Sequence, residues 1–337
     1  MNILLTGGLG FIGSHVACVL GKSKNYNIII LDNLYNSKKK TFNDILLLVE
    51  YTNNFVFIEG DILDEDLLDN IFKKYKIDGV IHFASLKAVG ESVDNPLLYY
   101  DKNVNGLLNV LKAMKNNKCK KLIFSSSATV YGSDNKSPIK ETDKIGISIL
   151  NPYGHTKYFQ EIIIKDFINV NQDFEITILR YFNPVGAHKS GIIGEDPNDK
   201  PNNLFPYILR VSTKQYPLLN IYGNDYNTKD GTGVRDYIHV MDLAEGHVMT
   251  LDKIKKGLNI YNLGTGNGIS VLEMIETFKR VNKCDIPYNI LGRRKGDVDE
   301  MFSDTSKVKK DIGWEAKRTL EDVCRDGYNF IKLRYNN

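Results

Sequence analysis

A strand-like run, Asn2-Ile3-Leu4-Leu5, leads into Gly7-Gly8-Leu9-Gly10-Phe11-Ile12-Gly13, which opens a helix-length segment. Glycines at such a junction let the backbone turn tightly and approach an anionic group seated at the helix N-terminus. Taken alone the pattern is common between a strand and a helix. Here it begins a series. Short apolar runs at 3–5, 28–31, 55–58, 80–83, 122–125 and 176–181 alternate with helix-length stretches near 12–21, 39–52, 64–75, 97–117 and 153–170. Fully apolar strands joined by crossover helices imply a parallel sheet covered on both faces. Right-handed crossovers then make an α/β, doubly wound Rossmann sheet, with ligands outside the carboxyl ends of its strands.

After Asn183 the texture changes. Residues 184–203 and 223–233 are rich in Gly, Pro, Asn and Asp, and loops of this length inside a folded domain are usually functional. Between and after them the sequence predicts helices over 204–215, 240–256, 270–281 and 319–333 and a strand over 218–222. The reading is a dinucleotide-binding domain over 1–183 and a smaller α/β substrate domain over 184–337. Residues 236–264 are expected to rejoin the first domain, with Asn259-Ile260-Tyr261-Asn262 adding to its sheet.

Composition excludes several function classes. A net charge of +3 over 337 residues is nearly balanced, and the densest basic run, Lys38-Lys39-Lys40, reads as a solvated loop or helix start, so no nucleic-acid partner is expected. The longest apolar run, 45–49, falls far short of the roughly 18 residues a membrane helix needs. The chain begins directly in a strand without a charged leader, so a cytoplasmic protein is expected. Cys18, Cys119, Cys284 and Cys324 lie far apart and read as free thiols. The six histidines show no ligand-like clustering, so no metal is expected.

Strand two ends in Asp32, nineteen residues past Gly13, where a carboxylate would accept hydrogen bonds from ribose hydroxyls. The alternative is a strand-end turn residue, helped by Asn33. An acidic residue there repels a 2′-phosphate, and no arginine lies nearby, so NAD is expected over NADP. Asp61 and Ile62, just past strand three, sit at another carboxyl edge and would touch the adenine; Asp61 could equally cap the helix at 64–75. Tyr153-Gly154-His155-Thr156-Lys157 places a phenol and an ammonium one helical turn apart. A phenol, with an ordinary pKa of about 10, becomes a base near neutrality only when its phenolate is stabilised. Lys157 supplies positive charge, and Ser127, beyond strand five, could pass protons to and from a substrate oxygen. Ser127 in a Ser-Ser-Ser run is otherwise a loop-forming hydroxyl.

With these residues placed, the chain resembles the extended short-chain dehydrogenase/reductases, and most specifically their UDP-glucose 4-epimerase branch. The resemblance runs from residue 1 to about 320 and includes residues 7–13, 83–92, 125–132, 153–157, 180–186, 201–204, 231–240 and 261–264. It implies that Gly7, Gly10, Phe11, Ile12, Gly13, Asp32, Asn33, Asn36, Ser37, Asp61, Ile62, Phe83, Ala84, Lys87, Asn103, Ser125, Tyr153, Lys157 and Phe182 bind NAD. Phe83 and Phe182 could equally be core residues, and Asn103 reads otherwise as an unremarkable exposed residue. It implies a UDP-sugar held by Lys87, Ser127, Tyr153, Asn183, Asn202, Asn203, Leu204, Asn220, Tyr222, Arg235, Arg294, Asp297 and Met301. From the residues alone, Arg235 could instead pair with Asp230 or Asp236, and Arg294 could be a solvated cation beside Arg293.

The chemistry implied is epimerisation at C4: Ser127, Tyr153 and Lys157 serve a transient oxidation to a 4-keto sugar, with NADH retained and the hydride returned to the opposite face. Related dehydratases carry Asp-Glu after the catalytic serine, whereas this chain has Ala128 and Thr129, neither of which titrates usefully. The competing readings are a non-catalytic NAD-binding protein and a dehydrogenase that releases NADH. Met301, where relatives often carry Tyr or Cys, suggests room for an N-acetyl group, because an unbranched thioether can move aside. Helices 97–117 and 153–170 are expected to pair with a second copy in a homodimer; their apolar positions, Leu107, Leu108, Leu111, Ile162, Ile163 and Phe167, also fit packing on the sheet.

Overall fold

The alternation read from the sequence is present in the chain, whose computed structural model describes residues 1–198, 201, 203–294 and 297–335. In chain order come β1 (Asn2–Thr6), α1 (Phe11–Leu20), β2 (Asn27–Asp32), α2 (Lys40–Leu46), β3 (Phe55–Glu59), α3 (Glu65–Tyr75), β4 (Gly79–His82), α4 (Val89–Asp94), α5 (Pro96–Tyr99), α6 (Gly106–Asn116), β5 (Lys121–Ser127), α7 (Pro152–Val170) and β6 (Glu175–Tyr181). The second half adds β7 (Asn183–Val185), α8 (Leu204–Ser212), β8 (Leu219–Tyr222), β9 (Val234–Arg235), β10 (Tyr237–His239), α9 (Val240–Asp252), β11 (Gly257–Leu263), β12 (Ile269–Ser270), α10 (Val271–Asn282), β13 (Tyr288–Leu291), β14 (Glu300–Met301), α11 (Ser306–Ile312) and α12 (Leu320–Tyr335).

Seven strands form one parallel sheet in the order β11-β6-β5-β4-β1-β2-β3. Strand β1 pairs in parallel with β2 on one side and β4 on the other. The chain therefore winds one way through β2 and β3 and the other way through β4 and β5. Their carboxyl ends part between β1 and β4, where doubly wound sheets hold their ligands. Leu4, Ile29, Val80, Leu122, Phe124, Ile176 and Ile178 of the sheet pack with Leu68, Ile71 and Phe72 of α3, with Leu107 and Leu111 of α6 and with Ile164 and Ile168 of α7. Leu107 and Leu111 are thus core residues of this chain.

Two compact units result. The first comprises 1–132, 145–180 and 244–261, and the second comprises 133–144, 181–243 and 262–337. Residues 133–144, which lie within the first domain on a linear reading, cluster with the second unit. That unit has its own core, with Phe205, Ile208 and Leu209 of α8 against Met274, Ile275 and Phe278 of α10 and Val323 and Cys324 of α12. Its strands form short sheets of two or three: β10 with β7, β12-β9-β14, and β13 with β8.

Local chemistry sets the helix ends. Asp64 caps α3 by accepting from the Leu67 amide at 2.9 Å, so Asp61 is not its cap. Asn151 Oδ1 accepts from the Gly154 amide at 2.8 Å and Pro152 opens α7. Helix α8 stops at Ser212, short of the expected 215, because the Ser212 and Thr213 hydroxyls both donate to the Leu209 carbonyl and compete with the helix ladder. The expected helix 39–52 is only Lys40–Leu46; Leu47 is 73% exposed, so the apolar run does not continue one buried face. The expected helix 97–117 is α5 and α6 joined by a π-helical turn, Tyr100–Asn105, with Pro96 opening α5. That wider turn carries Asn103 inward, and the residue is fully buried rather than exposed.

Candidate active site

Gly7 leaves β1 with φ +69°, and a Cβ there would stand 2.7 Å from the Ala84 amide nitrogen; a Cβ on Gly13 would stand 2.6 Å from the Gly7 carbonyl oxygen. Only glycine fits either place, and the loop closes tightly against the backbone at the end of β4. Helix α1 has Gly10 at its N-cap, no side-chain cap and no acidic residue in its first turn. Its N-terminal dipole is left for an anion. Asp32, buried at the end of β2, accepts from the Leu9 amide at 2.9 Å, the Leu34 amide at 3.0 Å and Ser37 Oγ at 2.7 Å. The carboxylate thus fixes the glycine loop. Asn33 donates to Asp61 at 3.0 Å, and the Asp61 carboxyl is held below its usual range; burial opposes this, and the Leu63 amide, Asn33 and Lys102 outweigh it. Phe83 and Ala84 follow β4, both amides donating to the Thr6 carbonyl at 2.9 Å. Lys87 Nζ lies 5.9 Å from the centre of the Phe11 ring.

Asn103 works as a staple. Its Oδ1 accepts from the Leu86 amide at 2.8 Å, and its Nδ2 donates to the Leu86 carbonyl at 3.1 Å and to Thr156 Oγ1 at 3.0 Å. The loop carrying Lys87 is thereby tied to α7.

Helix α7 and the end of β5 bring Ser127, Tyr153 and Lys157 together. Lys157 is buried and its Nζ donates to the Ser125 carbonyl at 2.8 Å. Burial pulls its ammonium down to about 7, against a smaller upward pull from Glu161. Tyr153 is only half-buried overall, yet the protein around its phenol pushes it up to about 12, partly offset by a hydrogen bond with Ser127. The expected lowering of the phenol by Lys157 is therefore absent in the protein alone. Burial penalises both charged forms and dominates.

In the second unit, Arg235 Nη2 stands 3.8 Å from Asp297 Oδ1, and Arg294 Nε donates to Asp297 Oδ2 at 3.0 Å. The Arg294 guanidinium lies 4.9 Å from the centre of the Tyr222 ring. Neither alternative sequence reading of Arg235 holds. Asp236 is buried and accepts from Thr265 and Ser303, while Asp230 accepts from Thr232. Met301 is in register with Arg235 across β14 and β9. Asn183 lies on β7 and donates its amide to the Asp236 carbonyl, Asn220 lies on β8, Asn203 and Leu204 open α8, and the Phe182 amide donates to the Leu263 carbonyl. Asn202 lies outside the described residues.

Residues 4–327 match the family model described as GDP-mannose 4,6 dehydratase. The chain is 49% identical to the UDP-glucose 4-epimerase of Bacillus subtilis, over 100% of this chain and 98% of that protein. It is 50% identical to the UDP-glucose 4-epimerase of Yersinia enterocolitica, over 100% of this chain and 99% of that protein. The chain belongs to the UDP-glucose 4-epimerase family. Its structure is similar to that of the Bifidobacterium longum UDP-glucose 4-epimerase, crystallised with NAD+ and UDP, with a TM-score of 0.94 at 45% identity over 100% of this chain and 99% of that one.

Several polar groups packed around these residues went unread in the sequence: Ser126, Thr156, Gln160, Glu161 and Arg180. Gln160 Nε2 donates to the Asn103 carbonyl at 2.7 Å. The signal for Arg180 was present, a lone charge in the apolar run Ile176-Thr177-Ile178-Leu179-Arg180.

The buried lysine has a measurable consequence. Lys157 gives up its proton near 7 when folded and near 10.5 when unfolded, so the folded state binds fewer protons between those values and gains stability as pH rises through them. Below that window both states are protonated and the full cost of burial is present. Replacing Lys157 by Met in cofactor-free protein is expected to raise the thermal midpoint by several degrees at about pH 6, with an advantage that shrinks toward about pH 10. Melting curves across pH check this; an advantage flat with pH contradicts it.

Proposed function

We infer that the chain is an NAD-dependent UDP-glucose 4-epimerase that interconverts UDP-galactose and UDP-glucose. The observation that carries this is the convergence of Tyr153, Ser127 and the buried Lys157 at the carboxyl edge of the sheet, beyond which stand Ala128 and Thr129 rather than a second acid/base pair.

The glycine cradle fits NAD. A Cβ at Gly7 or Gly13 would fill it, α1 presents an uncapped N-terminus, and Asp32 offers a carboxylate to ribose hydroxyls. The holding residues in this reading are Gly7, Gly10, Phe11, Ile12, Gly13, Asp32, Asn33, Asn36, Ser37, Asp61, Ile62, Phe83, Ala84, Lys87, Ser125, Lys157 and Phe182, with Asn103 fixing their loop. NAD, when bound, supplies the acceptor that takes the C4 hydride and gives it back, and brings a positive charge that favours an ionised phenol. Tyr153 Oη takes the proton of the sugar 4-hydroxyl and later returns it. Ser127 bridges the sugar oxygen and the phenol, relaying that proton. Lys157 holds charge beside the phenol and is itself anchored on the Ser125 carbonyl. Asp297 holds Arg235 and Arg294 spaced for the oxygens of a diphosphate, and guanidinium geometry suits them. Asn183, Asn202, Asn203, Leu204, Asn220, Tyr222 and Met301 complete the proposed nucleotide-sugar set.

The same proposal includes a cytoplasmic homodimer. No helix among the described residues is long and apolar enough to cross a membrane. Exposed Val93, Leu97 and Phe159 give α4, α5 and α7 an apolar surface for a second copy.

Incubation with UDP-galactose should yield UDP-glucose without lasting near-ultraviolet absorbance from reduced nicotinamide. Tyr153→Phe should lower kcat by roughly a thousandfold or more while NAD stays bound. Retained epimerisation in that variant would refute the assigned base. Met301, an unbranched side chain in register with Arg235, motivates acceptance of UDP-N-acetylgalactosamine as a second substrate. Rates on the two substrates are expected within about a hundredfold of each other; no detectable turnover of the acetylated sugar would remove this part of the proposal.

A further inference from the structure

The first unit buries an ion pair that the proposed chemistry does not use. Glu161 lies one helical turn beyond Lys157 on α7, and Arg180 lies near the end of β6; their side chains are 0% and 1% exposed. Glu161 Oε1 accepts from Arg180 Nε at 2.9 Å and from Ser126 Oγ at 2.7 Å, and Oε2 accepts from Arg180 Nη2 at 2.7 Å. Arg180 Nη1 donates to the Tyr131 hydroxyl at 2.9 Å, and the guanidinium stacks 4.8 Å from the centre of the Tyr131 ring.

We propose that the Glu161–Arg180 pair is a positioning device for the Ser127–Tyr153–Lys157 set, clamping the end of β5 and the turn after it onto α7. Every element it grips carries or adjoins one of the three. Ser126 stands between Ser125, whose carbonyl anchors Lys157, and Ser127. Tyr131 closes the 3₁₀ turn, 128–131, that Ser127 caps by accepting from the Thr129 amide at 3.2 Å. Glu161 shares α7 with Tyr153 and Lys157. A buried ion pair is weak evidence for stability, since packed apolar side chains of similar volume often replace one without loss. Retaining it at this spot is explained by register: three carboxylate bonds, two of them a bidentate fork, fix direction, which apolar contact does not.

The pair also acts on charge. The Glu161 carboxylate favours the ammonium form of Lys157 and opposes the effect of burial. Other groups facing Lys157 do not mask this. His82 on β4 is held down to about 3 by burial and by Lys157, so it stays neutral across the working range. Tyr153 on the same helix is the phenol to be ionised, Arg180 is tied to Glu161, and Tyr131 is tied to Arg180. Without Glu161, Lys157 gives up its proton at lower pH.

The inference rests on the catalytic reading above, so the experiment separates the two. In the NAD-loaded enzyme, Glu161→Gln and the apolar double variant Glu161→Leu/Arg180→Met are expected to lower kcat by roughly tenfold or more with KM within about twofold. For Glu161→Gln the high-pH limb of the kcat profile should move to lower pH. Folded Glu161 variants that keep wild-type kcat and the wild-type pH profile, beside an inactive Tyr153→Phe, overturn the positioning role alone. An active Tyr153→Phe overturns the catalytic reading and the positioning role with it. If the Glu161 variants do not fold, Ser126→Ala decides, because it deletes one hydroxyl and leaves the ion pair intact: a severalfold loss of kcat supports the role, and an unchanged kcat overturns it.

Discussion

One hydrogen bond ties the central sheet to the helix that carries the proposed base: Lys157 Nζ to the Ser125 carbonyl at 2.8 Å. It can form only if α7 lies across the carboxyl end of β5 at one register. That register is also the one that lets Tyr153 meet Ser127. The apolar contacts of Ile164 and Ile168 with the sheet hold the helix down, but such contacts are non-directional and tolerate sliding. Direction comes from polar bonds at its N-terminal half, where Asn103 holds Thr156, Gln160 holds the Asn103 carbonyl, and Glu161 holds Ser126 and Arg180.

This arrangement is costly for the protein by itself. An ammonium pulled down to about 7 and a phenol pushed up to about 12 are both penalised by the same burial. Strain of this kind concentrates at functional sites and is offset by packing elsewhere. Among the described residues, it is the Glu161 carboxylate that works against the burial of Lys157.

What was legible in the sequence was what depends on local pattern. Period and apolarity gave the six N-terminal strands, and Gly7 to Gly13 with Asp32 gave the cradle, because each of those requirements is met within one strand–turn–helix unit. What depended on tertiary neighbours was hidden. Asn103 read as an exposed helical residue because nothing local announces the π-turn that buries it. Asp61 read as a possible cap because Asp64, three residues on, competes for the same role. Arg235 read as pairing with adjacent aspartates, whereas its acidic partner, Asp297, is 62 residues away (297 − 235). The direction of the Tyr153 shift was misjudged because spacing reports the approach of Lys157 and says nothing of desolvation.

The central claim is a closed oxidation and reduction at one carbon, run by one phenol. The most direct measurement converts UDP-galactose deuterated at C4 and locates the label in the UDP-glucose formed. The account predicts that the deuterium stays at C4 of the product, with none lost to solvent. Deuterium washed out into water would mean that the C4 hydrogen leaves as a proton, and the account would be wrong.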